Sequence, residues 1–101
     1  MSHTIGAEVA TPNGAKYVLQ LCKHWSHKLE TKVEGSTGTV TFPNAVATMT
    51  AGDTGIAIAI AGENRDDVQG LTDVVARHID RFAFREAPLT YEWEWQDEVA
   101  G

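Results

Sequence analysis

Cysteine is almost missing: Cys22 is the only one in 101 residues. An internal disulfide framework is therefore excluded. A lone thiol suits a reducing compartment, so the expected location is cytoplasmic. Positive charge is also short. Eight Lys and Arg stand against fourteen Asp and Glu, a formal net charge of −6. Phosphate recognition needs a basic footprint, so nucleic acid is not an expected partner. Long apolar runs are lacking too. One weakly charged stretch, 45–61, holds Asp53 and several threonines. It falls short of the ~18 apolar residues of a membrane span, so no membrane partner is expected. The opening Met-Ser-His-Thr-Ile-Gly has no basic segment before an apolar run, and no secretory signal is expected. What is present is ordinary. At 43% hydrophobic and 22% charged residues, the chain is neither disordered, collagenous nor a coiled coil overall.

The length fits a single domain, 1–101, because domains usually take roughly 100–200 residues. No internal repeat or low-complexity segment is visible. Charge is uneven. Residues 1–50 carry four lysines against three glutamates, a balance of +1; residues 51–101 carry four arginines against eleven acids, a balance of −7. A local basic face in the first half is one reading of this, and a solvated helix face is the other.

Periodicity supplies the elements. Residues 4–10 alternate, with Ile5, Ala7 and Val9 on one face of a first strand. Thr11-Pro12 then reads as a helix start, Thr as N-cap and Pro at the first helical position. This helix is expected to reach Ser26. Its core stripe is Ala15, Val18, Cys22 and Trp25, with Leu21 at the edge, and Lys16, Gln20, Lys23, His24 and His27 lie opposite. Short strands follow. In 29–34, Leu29, Thr31 and Val33 face inward, and 35–38 turns. In 39–42, Val40 and Phe42 share a face, and Pro43-Asn44 turns. The inward face of 45–50 is ambiguous, because Val46 and Met49 have opposite parity. In 56–61, three isoleucines occupy one face and three alanines the other, the pattern of a covered or central strand. Asn64 caps a second helix with Asp66 and Asp67 in its first turn. Its stripe is Val68, Leu71, Val75, Ile79 and Phe82, with Gly70 a weak point costing ~1 kcal/mol against Ala. After Pro88, a last strand aligns Leu89, Tyr91, Trp93 and Trp95 on one face, and 96–101 is expected to be a frayed tail.

The expected fold is α+β and two-layered: an antiparallel sheet of five to six strands with two helices on one face, in the order β-α-β-β-β-β-α-β. The order is like that of TATA-binding-protein-like and helix-grip folds, an analogy that carries no function.

Two segments carry a resemblance. Leu21-Cys22-Lys23-His24-Trp25-Ser26-His27-Lys28 and His78-Ile79-Asp80-Arg81-Phe82-Ala83-Phe84-Arg85-Glu86 resemble a bacterial family known as domain of unknown function 2218. The Thr11-Pro12 start and Val40-Thr41-Phe42-Pro43 fit the same pattern. The family has no assigned catalytic activity and no established active site. The resemblance implies an accessory role in iron–siderophore handling, since members are sometimes encoded beside, or fused to, siderophore-interacting flavin reductases. This chain has no reductase domain, so such a reductase would be a partner in trans.

Candidate chemistry is sparse. Cys22-x-His24-x-x-His27 reads as a metal motif only in linear text, because positions two apart on a helix point to nearly opposite sides. His24 and His27, at i and i+3, offer two metal ligands; a zinc site needs three or four, so the rest would have to come from His78, Glu86 or a second subunit, and the alternative is two exposed histidines. Cys22 on the buried stripe is expected to be inert. His78 is either a boundary histidine making one hydrogen bond or a ligand contact beside Arg81 and Arg85. Those arginines, at i and i+4, could clamp a carboxylate or phosphate; helix-surface ion pairs such as Asp73 with Arg77 are the competing use. Tyr91, Trp93 and Trp95 form either a core cover or a stacking surface for a flat aromatic ligand or a subunit partner. No phosphate loop, nucleophile elbow or zinc-protease motif is present, so an independent enzyme is not expected.

The leading expectation is a non-catalytic binding or accessory domain for a small anionic or aromatic ligand, with no cofactor. The alternatives are a small enzyme using His78 with Arg81, Arg85 or Glu86, and a structural oligomerisation module. The stretch 45–61, with one charge and two apolar faces on its final strand, presents a pairing hazard; either a neighbouring strand covers it within the chain or a second copy does, and a homodimer is the favoured expectation.

Overall fold

A computed structural model describes residues 2–96. Strands β1 (His3–Ala10), β2 (Glu30–Glu34), β3 (Thr37–Thr41), β4 (Val46–Ala51), β5 (Gly55–Gly62) and β6 (Glu94–Trp95) alternate with helices α1 (Gly14–Trp25) and α2 (Arg65–Phe82) in the expected order. The six strands form one sheet in the order β2-β3-β4-β5-β1-β6, and every neighbouring pair is antiparallel. Both helices cover the same face. Ile5, Val9, Val40, Ala47, Met49, Ile56, Ile58 and Ile60 pack there against Val18, Leu21, Cys22, Trp25, Val68, Val75 and Ile79.

The sequence periods explain this burial, with corrections. Asn64 caps α2 through Asp67 N–H to its Oδ1 at 3.1 Å, and Asp66 and Asp67 occupy the first turn. The α1 stripe is centred differently from expectation. Gly14, Tyr17, Val18, Leu21, Cys22 and Trp25 are buried, whereas Ala15 is exposed. The helix also starts later. Thr11 Oγ1 accepts from Asn13 N–H at 3.1 Å, a turn rather than an N-cap. Gly14 then sits so close to β5 that a Cβ would lie 2.9 Å from Ile56 Cγ1 and 3.0 Å from the Gly55 carbonyl oxygen. The chain must swing onto the sheet there before winding.

In the sheet, Thr37 and Gly38 belong to β3 rather than to a turn, which narrows to Gly35 (φ +58°) and Ser36. The parity of β4 resolves in favour of Met49, because Ala47↔Ile60 and Met49↔Ile58 pair on the helix side; Val46 faces outward. Val33 pairs with Gly38 on the helix side but stays exposed at the sheet edge, beyond the cover of α1. The central position expected for β5 is right. It lies between β4 and β1, so both its edges are paired within the chain. Its alanines face the open side of the sheet, where Ala57 is exposed and Ala59 and Ala61 are half-buried.

The last strand is shorter than its alternation suggests. Only Glu94 and Trp95 pair, with Gly6 and Ile5. Residues 87–93 run beside α2 in irregular form, after a cis Ala87-Pro88 bond. Gln96 is not part of a frayed end: its N–H donates to the Thr4 carbonyl at 2.7 Å. The rest of the expected tail lies outside the described residues.

Candidate functional site

The two helices lie antiparallel, and their exposed seam collects most of the chemistry-bearing side chains. At one end, the turn after α2 meets the loop before α1. Glu86 is the centre of this contact. Its carboxylate accepts from Thr11 Oγ1 at 2.8 and 3.1 Å, from Asn13 Nδ2 at 3.0 Å, and from the Tyr17 hydroxyl. Tyr17 and the two other donors hold the carboxyl below its usual range. The same contact raises Tyr17, with burial adding to it. An ionised carboxylate with both oxygens already engaged is poorly placed to act as a general acid.

Beside Glu86 is a cavity of 360 Å³ lined by Asn13, Lys16, Tyr17, Phe82, Phe84, Arg85 and Glu86. Phe84 is 71% exposed, and the Arg85 guanidinium lies 5.8 Å from its ring centre. Lys16 and Arg85 are both exposed. Among the described residues neither forms an ion pair. The cavity mouth therefore presents two cations and an open aromatic ring.

Further along the seam, Phe82 meets the His24 ring at 5.9 Å between centres. His24 lies 5.6 Å from His78, and His78 lies 4.9 Å from Trp25. The His78 Nδ1 stands 2.6 Å from the Val74 carbonyl oxygen, one helical turn back. That is the boundary histidine with a single hydrogen bond, now with aromatic neighbours. Gln20 projects from α1 between the positions of Lys16 and His24, and its Oε1 is buried without a hydrogen-bond partner among the described residues.

The candidate residues from the sequence divide into three groups. His78 lies on the seam. Arg85 also lines it, but the i, i+4 clamp with Arg81 does not form. The α-helix ends at Phe82 with Ala83 as C-cap, so Arg85 projects from a turn while Arg81 is exposed on the helix. Trp93 and Trp95 lie elsewhere. Tyr91 stacks on Trp93 and donates to Asp80 at 2.9 Å and to the Ala76 carbonyl at 3.3 Å. At about 100° per residue, Ala76 and Asp80 point roughly opposite to His78. Trp95 stacks under Arg65, 3.9 Å from its ring centre, and meets His3 edge-on. The aromatic ladder thus covers the far flank of α2. Burial and the bond to Asp80 push the Tyr91 hydroxyl well above its usual range. Asp73 pairs with Arg77 at 3.5 Å, as expected. His24 and His27 are both exposed, and His24 takes His78 rather than His27 as its ring neighbour. No group of three His, Cys, Asp or Glu converges on one point among the described residues. Cys22 is buried, and burial raises its thiol pKa.

Lys16, Tyr17 and Phe84 are the seam residues that sequence reasoning missed. Tyr17 lies four residues before Leu21, and that spacing was the available signal.

A family of uncharacterised proteins conserved in bacteria, DUF2218, matches residues 6–94. An NMR structure of PA4090 from Pseudomonas aeruginosa is similar at 29% identity and a TM-score of 0.75, covering 93% of this chain and 95% of that one. No curated protein matches.

Proposed function

Because the chain belongs to DUF2218, a family of uncharacterised bacterial proteins, we propose a function from its own geometry: a non-catalytic binding domain for a small anionic, aromatic ligand at the end of the α1–α2 seam. One observation carries this reading. Lys16 and Arg85 flank a cavity of 360 Å³ walled by Phe82 and Phe84, and the one carboxylate there is already engaged by three uncharged donors. A benzoate-like or catecholate ligand would stack on Phe84 and place its charge between the two cations. The negative balance of residues 51–101 would disfavour an anion over much of the remaining surface. The resemblance to proteins associated with siderophore-interacting reductases gives this ligand class a context in iron–siderophore handling, with such a reductase as partner. The single, buried Cys22 supports a cytoplasmic location.

Titration of the protein with 2,3-dihydroxybenzoate, followed by amide NMR shifts, tests the reading. Shifts should map to Lys16, Phe82, Phe84 and Arg85. The double variant Lys16→Ala/Arg85→Ala should bind at least about tenfold more weakly, since each charge-assisted contact is strong relative to a neutral one. Benzyl alcohol, the uncharged analogue, should bind far more weakly than the acid. Unchanged affinity in the double variant, or shifts confined to the Trp93–Trp95 flank, would overturn it.

A further inference from the structure

We propose that His24 and His78 form a two-imidazole binding site for a borderline divalent cation such as Zn²⁺, spanning the seam from α1 to α2. The inference is independent of the anion cavity and uses different atoms. His78 is already arranged as a ligand: its Nδ1–H donates to the Val74 carbonyl at 2.6 Å. A carbonyl can only accept, so in the neutral ring this bond selects the tautomer whose Nε2 carries the lone pair. Metal-binding histidines commonly show this pattern, in which the second ring nitrogen is held by a carbonyl or carboxylate. The ring is also restrained by Trp25, 4.9 Å away between centres.

His24 supplies the second nitrogen. Zinc–nitrogen bonds of about 2.0–2.1 Å put each imidazole centre roughly 3.2 Å from the ion, so two rings sharing it are about 5–6.4 Å apart for tetrahedral to linear angles. The observed separation is 5.6 Å. His24 is exposed and can rotate its ring to meet the ion, whereas His78 is held. One further feature favours a cation here. His24 lies in the last turn of α1, where the partial negative charge of the helix end attracts positive charge. The absence of a third converging protein ligand among the described residues makes this an open, exchangeable site whose remaining positions go to water or a small chelator, unlike a closed structural zinc centre.

The test uses the protein as isolated, dialysed against chelator and titrated with ZnCl₂. Long-range ¹⁵N NMR of the imidazoles reads the nitrogens directly, and calorimetry gives the affinity. Zinc should shift His78 Nε2 and a nitrogen of His24, while His78 Nδ1 keeps its proton. His24→Ala is exposed and should fold normally, and it should lose at least about tenfold in affinity, as should His78→Gln. His27→Ala should bind as the parent does. Zinc-induced shifts confined to His27 or His3, or undiminished affinity in His24→Ala, would show the inference to be wrong.

Discussion

Replacing Gly38 with alanine should unseat α1 from the sheet. Gly38 lies in β3 directly beneath the helix. A Cβ there would stand 2.6 Å from Cys22 Sγ and 2.8 Å from Val18 Cγ1. Carbon–carbon contacts are comfortable at about 3.5–4.0 Å, so the helix would have to retreat by roughly 1 Å. Neither side chain can swing aside. Both are 2% exposed, and Val18 is β-branched and therefore stiff about χ1. Overpacking of this kind costs about 1–3 kcal/mol, and the lower entropy of the unfolded alanine chain offsets about 0.4–1 of it. A net loss of about 1–2 kcal/mol is expected, or about 4–8 °C in Tm per kcal/mol for a domain of this size. Cys22→Ala alone should cost about 1 kcal/mol, through lost packing. The double variant should lose less than the two single losses together, because removing Sγ relieves the shorter clash. The coupling should be at least about 0.5 kcal/mol. Urea denaturation followed by tryptophan fluorescence measures all four corners of the cycle. A neutral Gly38→Ala, or a cycle without coupling, would mean that α1 is not seated on Gly38 as described.

Three other outcomes are expected. Trp25→Ala should cost about 3–5 kcal/mol, since the ring is 6% exposed and packs edge-on against Phe42 at 5.2 Å; a urea midpoint near that of the parent would contradict it. Glu86→Gln should flatten the acid side of the stability profile. A carboxyl held below its ordinary value of 4.5 stabilises the fold above that pH and ceases to do so as pH falls through its folded value. The Tm gap between parent and variant should therefore close below pH 4.5, and a gap constant from pH 6 to pH 3 would argue against the bonded carboxylate. Cys22 should react with a thiol reagent only at the rate of unfolding, because burial raises its pKa and blocks access; rapid labelling in native buffer would place it at the surface.

Much of the architecture was legible because strong periods coincide with burial. Ile56, Ile58 and Ile60 announced a buried face, and Asn64 with its two aspartates announced a helix start. The failures have physical causes. Thr11-Pro12 carries a good cap signal, but its hydroxyl is recruited by Glu86, a residue far along the chain. No local rule reports such a contact. Ala15 is expected on the α1 stripe and Tyr17 is not assigned there, for a related reason. A tyrosine can lie in the core when its hydroxyl finds a partner, and that partner was again Glu86. The Arg81–Arg85 spacing assumed a helix that continues past Phe82, whereas the chain turns there. Met49 could be assigned to the core only once β4 had neighbours on both sides. Of the candidate site, His78 and Arg85 were legible in the sequence. Their convergence with Lys16, His24 and Phe84 depends on the antiparallel approach of two helices about forty residues apart, which no motif spacing encodes.

The strand order also sets a timetable for folding. Strands β2 to β5 form a meander whose pairings are local, so they meet early. β1 comes first in the chain but docks against β5, matching His3 to Gly62 and Ala10 to Gly55. Closing so long a loop must precede any reward from the new pairing, so this step is expected late. Until it occurs, one whole side of β5 is unpaired. That side belongs to Gly-Ile-Ala-Ile-Ala-Ile-Ala-Gly, eight residues without a charge or a proline to deter a foreign strand. In the finished protein the segment is interior and harmless. While synthesis and docking are incomplete it is the most adhesive edge in the chain, so variants that weaken β1 should be lost first as aggregates during expression.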